Sequence, residues 1–347
     1  MLATVFLIQL GITQPHLLIL NISYKMKKLI TLLFSILFIT NIATAASNIT
    51  KKVFINQFAQ HPALDATTKG IIDGLAQNGF NRGVNLDVRV ESAQANVGLA
   101  SQISANFANQ NPDIVVGVGT ISAQSFIKYA SDNKVKMVFS TVTDPLGADL
   151  VKNLDKPGKN ISGVSNFVDL EPQLKLFQKL QPKLKHLGFL YNPGEMNSVS
   201  DVKRLRILCP KLGIILVEQT ANKTSEVPQA VTKLAGSVDA IFISSDNTAL
   251  SALQAVIKIA NKVKIPVYVT DTDAVELGAL AALGANQYQV GLQTGAMIAR
   301  VLDGKDLGSM AVEFPNKTEL YINEKAANIV DIIIPGDIRD KAIVIKK

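Results

Sequence analysis

An internal near-repeat is the feature that most constrains the fold of this 347-residue chain. In the first half, DIVVGVGTISAQSF is followed by KVKMVFSTVTDP; in the second half, DAIFISSDNTALSAL is followed by KVKIPVYVTDTD. Asp113 corresponds to Asp239, and Val135 to Val263, at nearly the same offset. Buried strands resemble one another in many proteins, so chance similarity is the alternative. The shared Lys-Val-Lys and the shared Thr-rich strand ends favour two lobes of the same topology.

Strand and helix patterns alternate along the rest of the chain. Short apolar runs such as DIVVGV and KMVFSTV are nearly continuous, which is typical of parallel strands covered on both faces. We therefore predict an α/β fold of two Rossmann-like lobes, each with a parallel sheet. The predicted lobes are residues 46–163 with 278–315 and residues 164–277 with 316–347, joined by three crossings near 162–166, 275–278 and 315–318.

The N-terminal region predicts export. Residues 26–45, MKKLITLLFSILFITNIATA, combine a basic start, an apolar core and a small-x-small end, which is the pattern of a secretory signal peptide. Residues 1–25 are apolar without a basic start, and we interpret them as a start codon placed too far upstream or as an extension. A membrane anchor is the less favoured alternative, because Pro15, His16 and the lysines at 25–28 interrupt any span of roughly 20 residues.

The net charge and the cysteine content limit which binding partners and covalent attachments are expected. Loss of residues 1–45 removes three lysines and no acid, so the net charge falls from +7 to +4. That charge is small and evenly spread, whereas nucleic-acid binding needs a clustered basic stripe. Cys209 is the only cysteine, so neither an intramolecular disulfide nor a lipid attached after the cleavage site is expected. We expect a diffusible periplasmic monomer that does not bind nucleic acid.

The turn in PDIVVGVGT has the strand, glycine turn and helix start that hold anions in many α/β proteins. It lacks the third glycine of the dinucleotide fingerprint, because Ser122 stands in that region, and no Gly-Lys-Ser/Thr occurs. Gly119, Thr120 and Ser122 therefore suit a single carboxylate better than a pyrophosphate. The alternative is that Thr120 or Ser122 only caps the helix.

Two further strand ends carry polar residues at the edge where open α/β sheets bind ligands. STVTDP places Thr141, Thr143 and Asp144 there, and TDTD places Asp271. Asp246 and Asn247 occupy the second-half turn that corresponds to Thr120. Acids in the second half would suit an ammonium group, so a free amino acid held between the lobes is our hypothesis. Solvated loops or helix caps are the alternative.

Residues for catalysis or metal binding are scarce. The chain has three histidines, at 16, 61 and 186, and no HExxH, CxxC or GxSxG motif. We expect no enzyme activity, metal or cofactor. Gln60 and His61 follow the first predicted strand at the same sheet edge, so they are candidate ligand contacts, although loop histidines are more often solvated.

These residues resemble a known family: the exported substrate-binding proteins of ABC importers that include the tryptophan/tyrosine-type binders. The matching segments include HPALDATTKGIIDGL, VFSTVTDPLGADLVKNLDKPGKNISGVSN, LGFLYNPGEMNS and ALGANQYQVGLQTGAMIARVLDGK. The resemblance implies the type I periplasmic-binding-protein fold and delivery of a small solute, with aromatic amino acids leading, to an inner-membrane permease and its ATPase. Gln60 stands where an acid is usual, and Ser122 where a proline or small residue is common.

The resulting prediction is a cleft that closes around one small molecule. The Thr120–Ser122 turn would bind a carboxylate with help from Thr141 and Thr143, and Asn192, Asp246 and Asp271 would contact the ammonium. A sugar, nucleoside or small organic anion is the alternative ligand, but sugars usually call for stacking aromatics and the chain has no Trp. A cytoplasmic regulator would need a DNA-binding module, and a nucleotide-dependent enzyme a fuller phosphate loop.

Overall fold

The first lobe is built on a parallel sheet of five strands. The computed structural model describes residues 50–158 and 160–346, so the segments predicted at 1–25 and 26–45 lie outside the described residues. The spatial strand order is β2-β1-β3-β4-β5. These strands are β1 Lys51–Gln57, β2 Leu86–Ser92, β3 Ile114–Val118, β4 Met137–Ser140 and β5 Ile161–Val164.

The second lobe is built on a sheet of seven strands in the order β12-β11-β10-β9-β8-β6-β7. All neighbours are parallel except β10 and β11. The strands are β6 His186–Tyr191, β7 Ile215–Thr220, β8 Ala240–Ile243, β9 Val267–Val269, β10 Ala281–Ala285, β11 Thr318–Asn323 and β12 Ile343–Ile345.

Helices connect the strands and cover both sheets. In the first lobe these are α1 Pro62–Gln77, α2 Val97–Ala108, α3 Thr120–Ser131 and, from late in the chain, α9 Gln287–Leu302. In the second lobe they are α4 Leu170–Leu180, α5 Met196–Lys211, α6 Val227–Ala235, α7 Asn247–Ser251, α8 Leu253–Lys262, α10 Glu324–Ile329 and α11 Gly336–Arg339. Short 3-10 turns lie at Thr224–Glu226, Thr272–Ala274 and Leu307–Ser309.

The near-repeat in the sequence corresponds to a repeated topology. Strands β7-β6-β8-β9-β10 have the same order as β2-β1-β3-β4-β5, and β3 and β8 are the equivalent strands that carry the repeat. Asp113 donates its N–H to the Lys52 carbonyl and accepts the Lys52 N–H at 2.8 Å. Asp239 makes the same pair of contacts with His186, at 2.8 and 2.7 Å. The repeated aspartate thus ties the first strand of each lobe to the third.

One predicted crossing is wrong. The expectation near 275–278 assigned the strand in ALAALGAN to the first lobe, but β10 pairs with β9 and β11 in the second sheet. An apolar pattern predicts a strand but does not show which sheet the strand joins. Here β10 adds to the edge of β9 as a parallel strand. In the described part of the chain the crossings lie at 165–169, at residue 286 and at 314–317.

Two glycines explain why α9 belongs to the first lobe. A Cβ on Gly70 would lie 2.3 Å from the Tyr288 carbonyl oxygen, and one on Gly291 would lie 2.2 Å from the Thr67 carbonyl oxygen. No side chain fits at either position, so the backbones of α1 and α9 are in direct contact. This contact fixes the start of α9, and with it Gln287, beside the space between the lobes.

Candidate functional site

A narrow cavity, partly open to solvent, lies between the lobes at the carboxyl edges of both sheets. The first lobe contributes His61, Ala63, Leu64, Thr120 and Thr141. Asn166 comes from the first crossing, and the second lobe contributes Asn197, Ser245, Asn247 and Asp271. We call this cavity the cleft.

The first-lobe wall contains a helix N-terminus without a side-chain cap. Gly119 is the N-cap of α3 with φ +88°, a conformation that favours glycine. Thr120 is buried, and its Oγ1 has no hydrogen-bond partner among the described residues. The backbone N–H groups of residues 120–122 likewise find no acceptor in the described part of the chain. This wall therefore offers hydrogen-bond donors and the positive end of a helix dipole.

His61 and Thr141 complete the first-lobe wall. His61 is the N-cap of α1, and its Nε2 lies 3.1 Å from Asn247 Oδ1 across the cleft. Burial lowers the pKa of His61, so the ring is neutral and Nε2–H donates to the amide oxygen. Thr141 has φ +59°, a strained conformation for a β-branched residue, and its Oγ1 donates to Thr67 at 3.2 Å.

The second-lobe wall presents two amide oxygens. Asn247 Nδ2 donates to Glu195 Oε2 at 2.6 Å, so its Oδ1 accepts from His61. Asn197 Nδ2 donates to the Ser245 carbonyl at 2.8 Å, and its buried Oδ1 has no partner among the described residues. Since both NH₂ groups are engaged within the lobe, the side chains offer acceptors to the cleft.

Asp271 adds a carboxylate to the same wall. It is 2 % exposed, and its Oδ1 accepts from Ser245 Oγ at 3.2 Å and from Gln287 Nε2 at 2.9 Å. Its Oδ2 has no hydrogen bond to any described residue, and no described Lys or Arg pairs with it. Burial, reinforced by Asp273, raises the pKa of Asp271 to about 7. A buried acid without a cation partner is suited to an ammonium group.

Three residues predicted to bind the ligand are engaged behind the walls instead. Ser122 donates to Asn56 Oδ1 at 3.0 Å inside the first lobe. Asp246 uses Oδ1 to accept the Ala249 N–H and Oδ2 to accept the Asn192 N–H at 2.7 Å. Burial, with the nearby Glu195 carboxylate, raises the pKa of Asp246. These side chains hold the turns in shape, and none of Ser122, Asn192 and Asp246 lines the cleft.

The other predicted residues lie at the margins. Thr143 donates to Asn166 Oδ1 at 3.1 Å in the first crossing. Asp144 spans the lobes, accepting from Ser200 Oγ at 2.7 Å and lying 3.7 Å from an Arg204 nitrogen. Gln60 is exposed on its loop. Five of the predicted residues thus meet in the cleft, namely His61, Thr120, Thr141, Asn247 and Asp271.

Sequence reasoning missed Asn166, Asn197 and Ser245 in the cleft, and Glu195 behind it. A signal for two of them exists in LGFLYNPGEMNS, since Glu195 and Asn197 follow the carboxyl end of β6. The strand-end rule that drew attention to Thr120 applies equally to that turn.

Comparison with known proteins decides the family. The family described as "ABC transporter substrate binding protein" matches residues 52–346. The chain is also 34% identical over 282 residues to the tyrosine-binding protein of Clostridioides difficile (strain R20291), covering 81% of each chain. The chain belongs to the ABC transporter substrate binding protein family. Its role is therefore that of a solute-binding component of a transporter.

Two solved structures of relatives, one with a bound ligand and one without, are similar to this substrate binding protein. The first is the ABC domain in complex with L-Trp from Streptococcus pneumoniae, with a TM-score of 0.82 at 32% identity. The second is the ligand-free, open structure of a substrate binding protein from Clostridium difficile, with a TM-score of 0.64 at 34% identity. Each comparison covers 86% of this chain and 100% of the other. The TM-score is higher for the L-Trp complex than for the ligand-free structure, although the two identities are nearly equal.

Within residues 50–158 and 160–346, no three His, Cys, Asp or Glu side chains are grouped so as to hold a metal ion. In the same ranges, no helix combines the length and apolarity needed to cross a bilayer.

Proposed function

We propose that this substrate binding protein holds one free amino acid with an aromatic side chain in the cleft. The ligand's carboxylate binds the first-lobe wall at Thr120, and its ammonium binds the second-lobe wall at Asp271 and Asn247. The two relatives that bind tyrosine and L-Trp support the ligand class.

The opposite polarity of the two walls is the observation that carries this proposal. The first lobe offers the Thr120 hydroxyl and the N–H groups of residues 120–122, which can donate to the ligand. The second lobe offers the oxygens of Asn197, Asn247 and Asp271. Hydrogen bonds to charged groups contribute about 1.5–3 kcal/mol each, so a zwitterion that satisfies both walls is strongly favoured over a neutral polyol.

Closing of the two lobes around the ligand follows from the opposite polarity of the two walls. A ligand that contacts both walls binds the closed form better than the open form and shifts the population toward it. Protein contacts between the lobes add to this: His61 with Asn247, and Asp144 with Ser200. Burial of an aromatic ring adds about 25 cal/mol per Å² of apolar surface.

The cellular setting completes the proposal. Residues 26–45 act as the signal peptide, and the protein works as a monomer in the periplasm. The closed protein delivers its amino acid to an inner-membrane permease driven by an ATPase subunit. No catalytic step is involved.

A thermal-shift screen of the purified protein against amino acids, sugars and nucleosides tests the ligand class. An amino acid present at 100 times its Kd stabilises the fold by about 2.7 kcal/mol. We expect tyrosine or tryptophan to raise the melting temperature and the sugars to leave it unchanged. A shift with a sugar and none with any amino acid would overturn the proposed function.

A further inference from the structure

Glu195 is a fully buried carboxylate of the second lobe that lies behind the cleft wall. Its Oε2 accepts the backbone N–H of Asn247 at 3.1 Å and the side-chain Nδ2–H of the same residue at 2.6 Å. Its Oε1 accepts the N–H and Oγ1–H of Thr248 at 2.9 and 2.8 Å. Asn197 Nδ2 adds a longer contact at 3.5 Å. No described Lys or Arg pairs with Glu195, so hydrogen bonds alone compensate its charge.

These contacts decide which way the cleft amides point. An asparagine amide fits its space in two orientations that exchange a donor for an acceptor. A carboxylate at 2.6 Å accepts only from the NH₂ group, so the oxygen of Asn247 is turned toward His61 and the cleft. The Glu195 carboxylate also attracts the NH₂ group of Asn197, whose oxygen is left without a partner among the described residues.

We propose that Glu195 is the positioning residue that makes the second-lobe wall an acceptor for the ligand's ammonium. It does so by holding the Asn247 amide with the oxygen toward the cleft. This inference rests on the proposed function, because the ammonium of the bound amino acid is the donor that this wall serves.

Swapping the carboxyl group at position 195 and the amide group at position 247 distinguishes a positioning role of Glu195 from simple structural support. In Glu195→Gln, the new NH₂ group faces the Asn247 NH₂, and relief of that conflict turns a donor toward His61 and the ammonium. Asn247→Asp places two carboxylates against each other. The double variant Glu195→Gln/Asn247→Asp restores the side-chain pair at the wild-type net charge, but it loses the bond that Glu195 accepts from the backbone N–H of residue 247. The glutamine amide introduced at position 195 donates to one oxygen of the carboxylate introduced at position 247, while the other oxygen faces the cleft.

Calorimetric titration with L-tyrosine tests these variants. Each single substitution should weaken binding by about 10–100-fold, as expected for one charge-assisted hydrogen bond lost or reversed. The double variant should bind L-tyrosine more tightly than either single variant, because the side-chain pair is restored. Glu226→Gln is the matched control: Glu226 accepts the Asn222 N–H at 2.9 Å elsewhere in the same lobe, so its loss should leave the affinity unchanged.

A second readout needs no ligand. The Asn247 side-chain NH₂ should give a shifted, slowly exchanging NMR signal in the ligand-free protein, which Glu195→Gln abolishes and Glu226→Gln preserves. If wild type binds neither tyrosine nor tryptophan, the proposed function fails, and this signal alone decides the role of Glu195. An amide signal unchanged in Glu195→Gln, or a double variant that binds no better than the single variants, would overturn the proposal. If Glu195→Gln does not fold, Asn247→Asp and the double variant carry the binding test.

Discussion

In the first lobe the helix after the third strand begins at Thr120, and in the second lobe the equivalent helix begins at Asn247. At Asn247 the leading N–H groups bind the carboxylate of Glu195, which belongs to the protein itself. At Thr120 the leading N–H groups find no acceptor among the described residues. The second-lobe turn binds a carboxylate of the protein itself, and we propose that the first-lobe turn binds the carboxylate of the ligand.

The two turns differ in the N-cap residue of the helix that follows the first strand of each lobe. Glu195 is the N-cap of the helix after the first strand of its lobe, and His61 occupies the equivalent position in the other. Glu195 turns back to the helix start at Asn247, whereas the neutral His61 ring reaches across the cleft. A single position therefore separates an internally satisfied turn from one that is available to a ligand.

The largest expected effect comes from His61→Glu, which copies the second-lobe arrangement into the first. The new carboxylate would occupy the N–H groups near Thr120 and repel the ligand's carboxylate, so L-tyrosine affinity should fall by about 100-fold or more. Isothermal titration calorimetry measures the change. His61→Gln, which keeps a neutral donor, should lose less than about tenfold. Comparable losses in the two variants would mean that the positions are not functionally equivalent.

Asp271→Asn removes the carboxylate that we propose pairs with the ligand's ammonium on the second-lobe wall. We expect L-tyrosine affinity to fall by about 10–100-fold, the value of one hydrogen bond to a charged group. Asp273→Asn changes a neighbouring acid that does not line the cleft, so its effect should stay within about threefold. If the two variants were equally affected, general electrostatics rather than a direct contact would explain the result.

Thr120→Val and Ser122→Ala distinguish the cleft face of the first-lobe turn from its inner face. Thr120→Val keeps the shape but removes the free hydroxyl, and should weaken binding by about tenfold without lowering the melting temperature. Ser122→Ala removes the hydrogen bond to Asn56, and should cost about 1 kcal/mol of stability while leaving binding intact. The opposite pattern in calorimetry and thermal melts would move the ligand contact to Ser122.

The change of L-tyrosine affinity with pH should be the smallest of these effects. Because burial raises the pKa of Asp271 to about 7, acid keeps the carboxyl protonated and the ammonium without its partner. Affinity for L-tyrosine should fall by up to about tenfold between pH 8 and pH 6, with proton release on binding near pH 6. The ligand-free fold should respond in the opposite sense, losing stability as pH rises from about 4 to 7.

Asp271→Asn serves as the control for the pH dependence. Its affinity should be nearly independent of pH over the same range, apart from the contribution of His61. A wild-type profile that matches the Asp271→Asn profile would exclude this carboxyl as the titrating group.

The fold was largely predictable because it depends on repeated local patterns. The Asp113 and Asp239 repeat predicted two lobes of one topology, and each aspartate makes the same strand contacts. The membership of β10 was not predictable from its apolar pattern, because sheet assignment depends on pairing with β9 and β11.

The site was predictable only in part. The sequence indicates which residues follow the strand ends, but it does not show which side chains are free to contact a ligand. The strand-end rule brought Thr120, Thr141 and Asp271 to the cleft. It could not show that the Asp246 carboxylate accepts hydrogen bonds from the Asn192 N–H and from Ser198, since these contacts depend on the three-dimensional structure. Asn197 was missed because the rule was not extended to the turn after β6.

The opposed polarity of the two walls is tested most directly with three ligands of one shape. L-tyrosine, tyramine, which lacks the carboxylate, and 3-(4-hydroxyphenyl)propionate, which lacks the ammonium, are titrated into the same protein by calorimetry. Each analogue leaves one wall unpaired, so both should bind about 100-fold or more weakly than L-tyrosine. Thr120→Val should narrow the gap for tyramine, and Asp271→Asn the gap for the propionate. Binding of either analogue to wild type within about threefold of L-tyrosine would contradict the account.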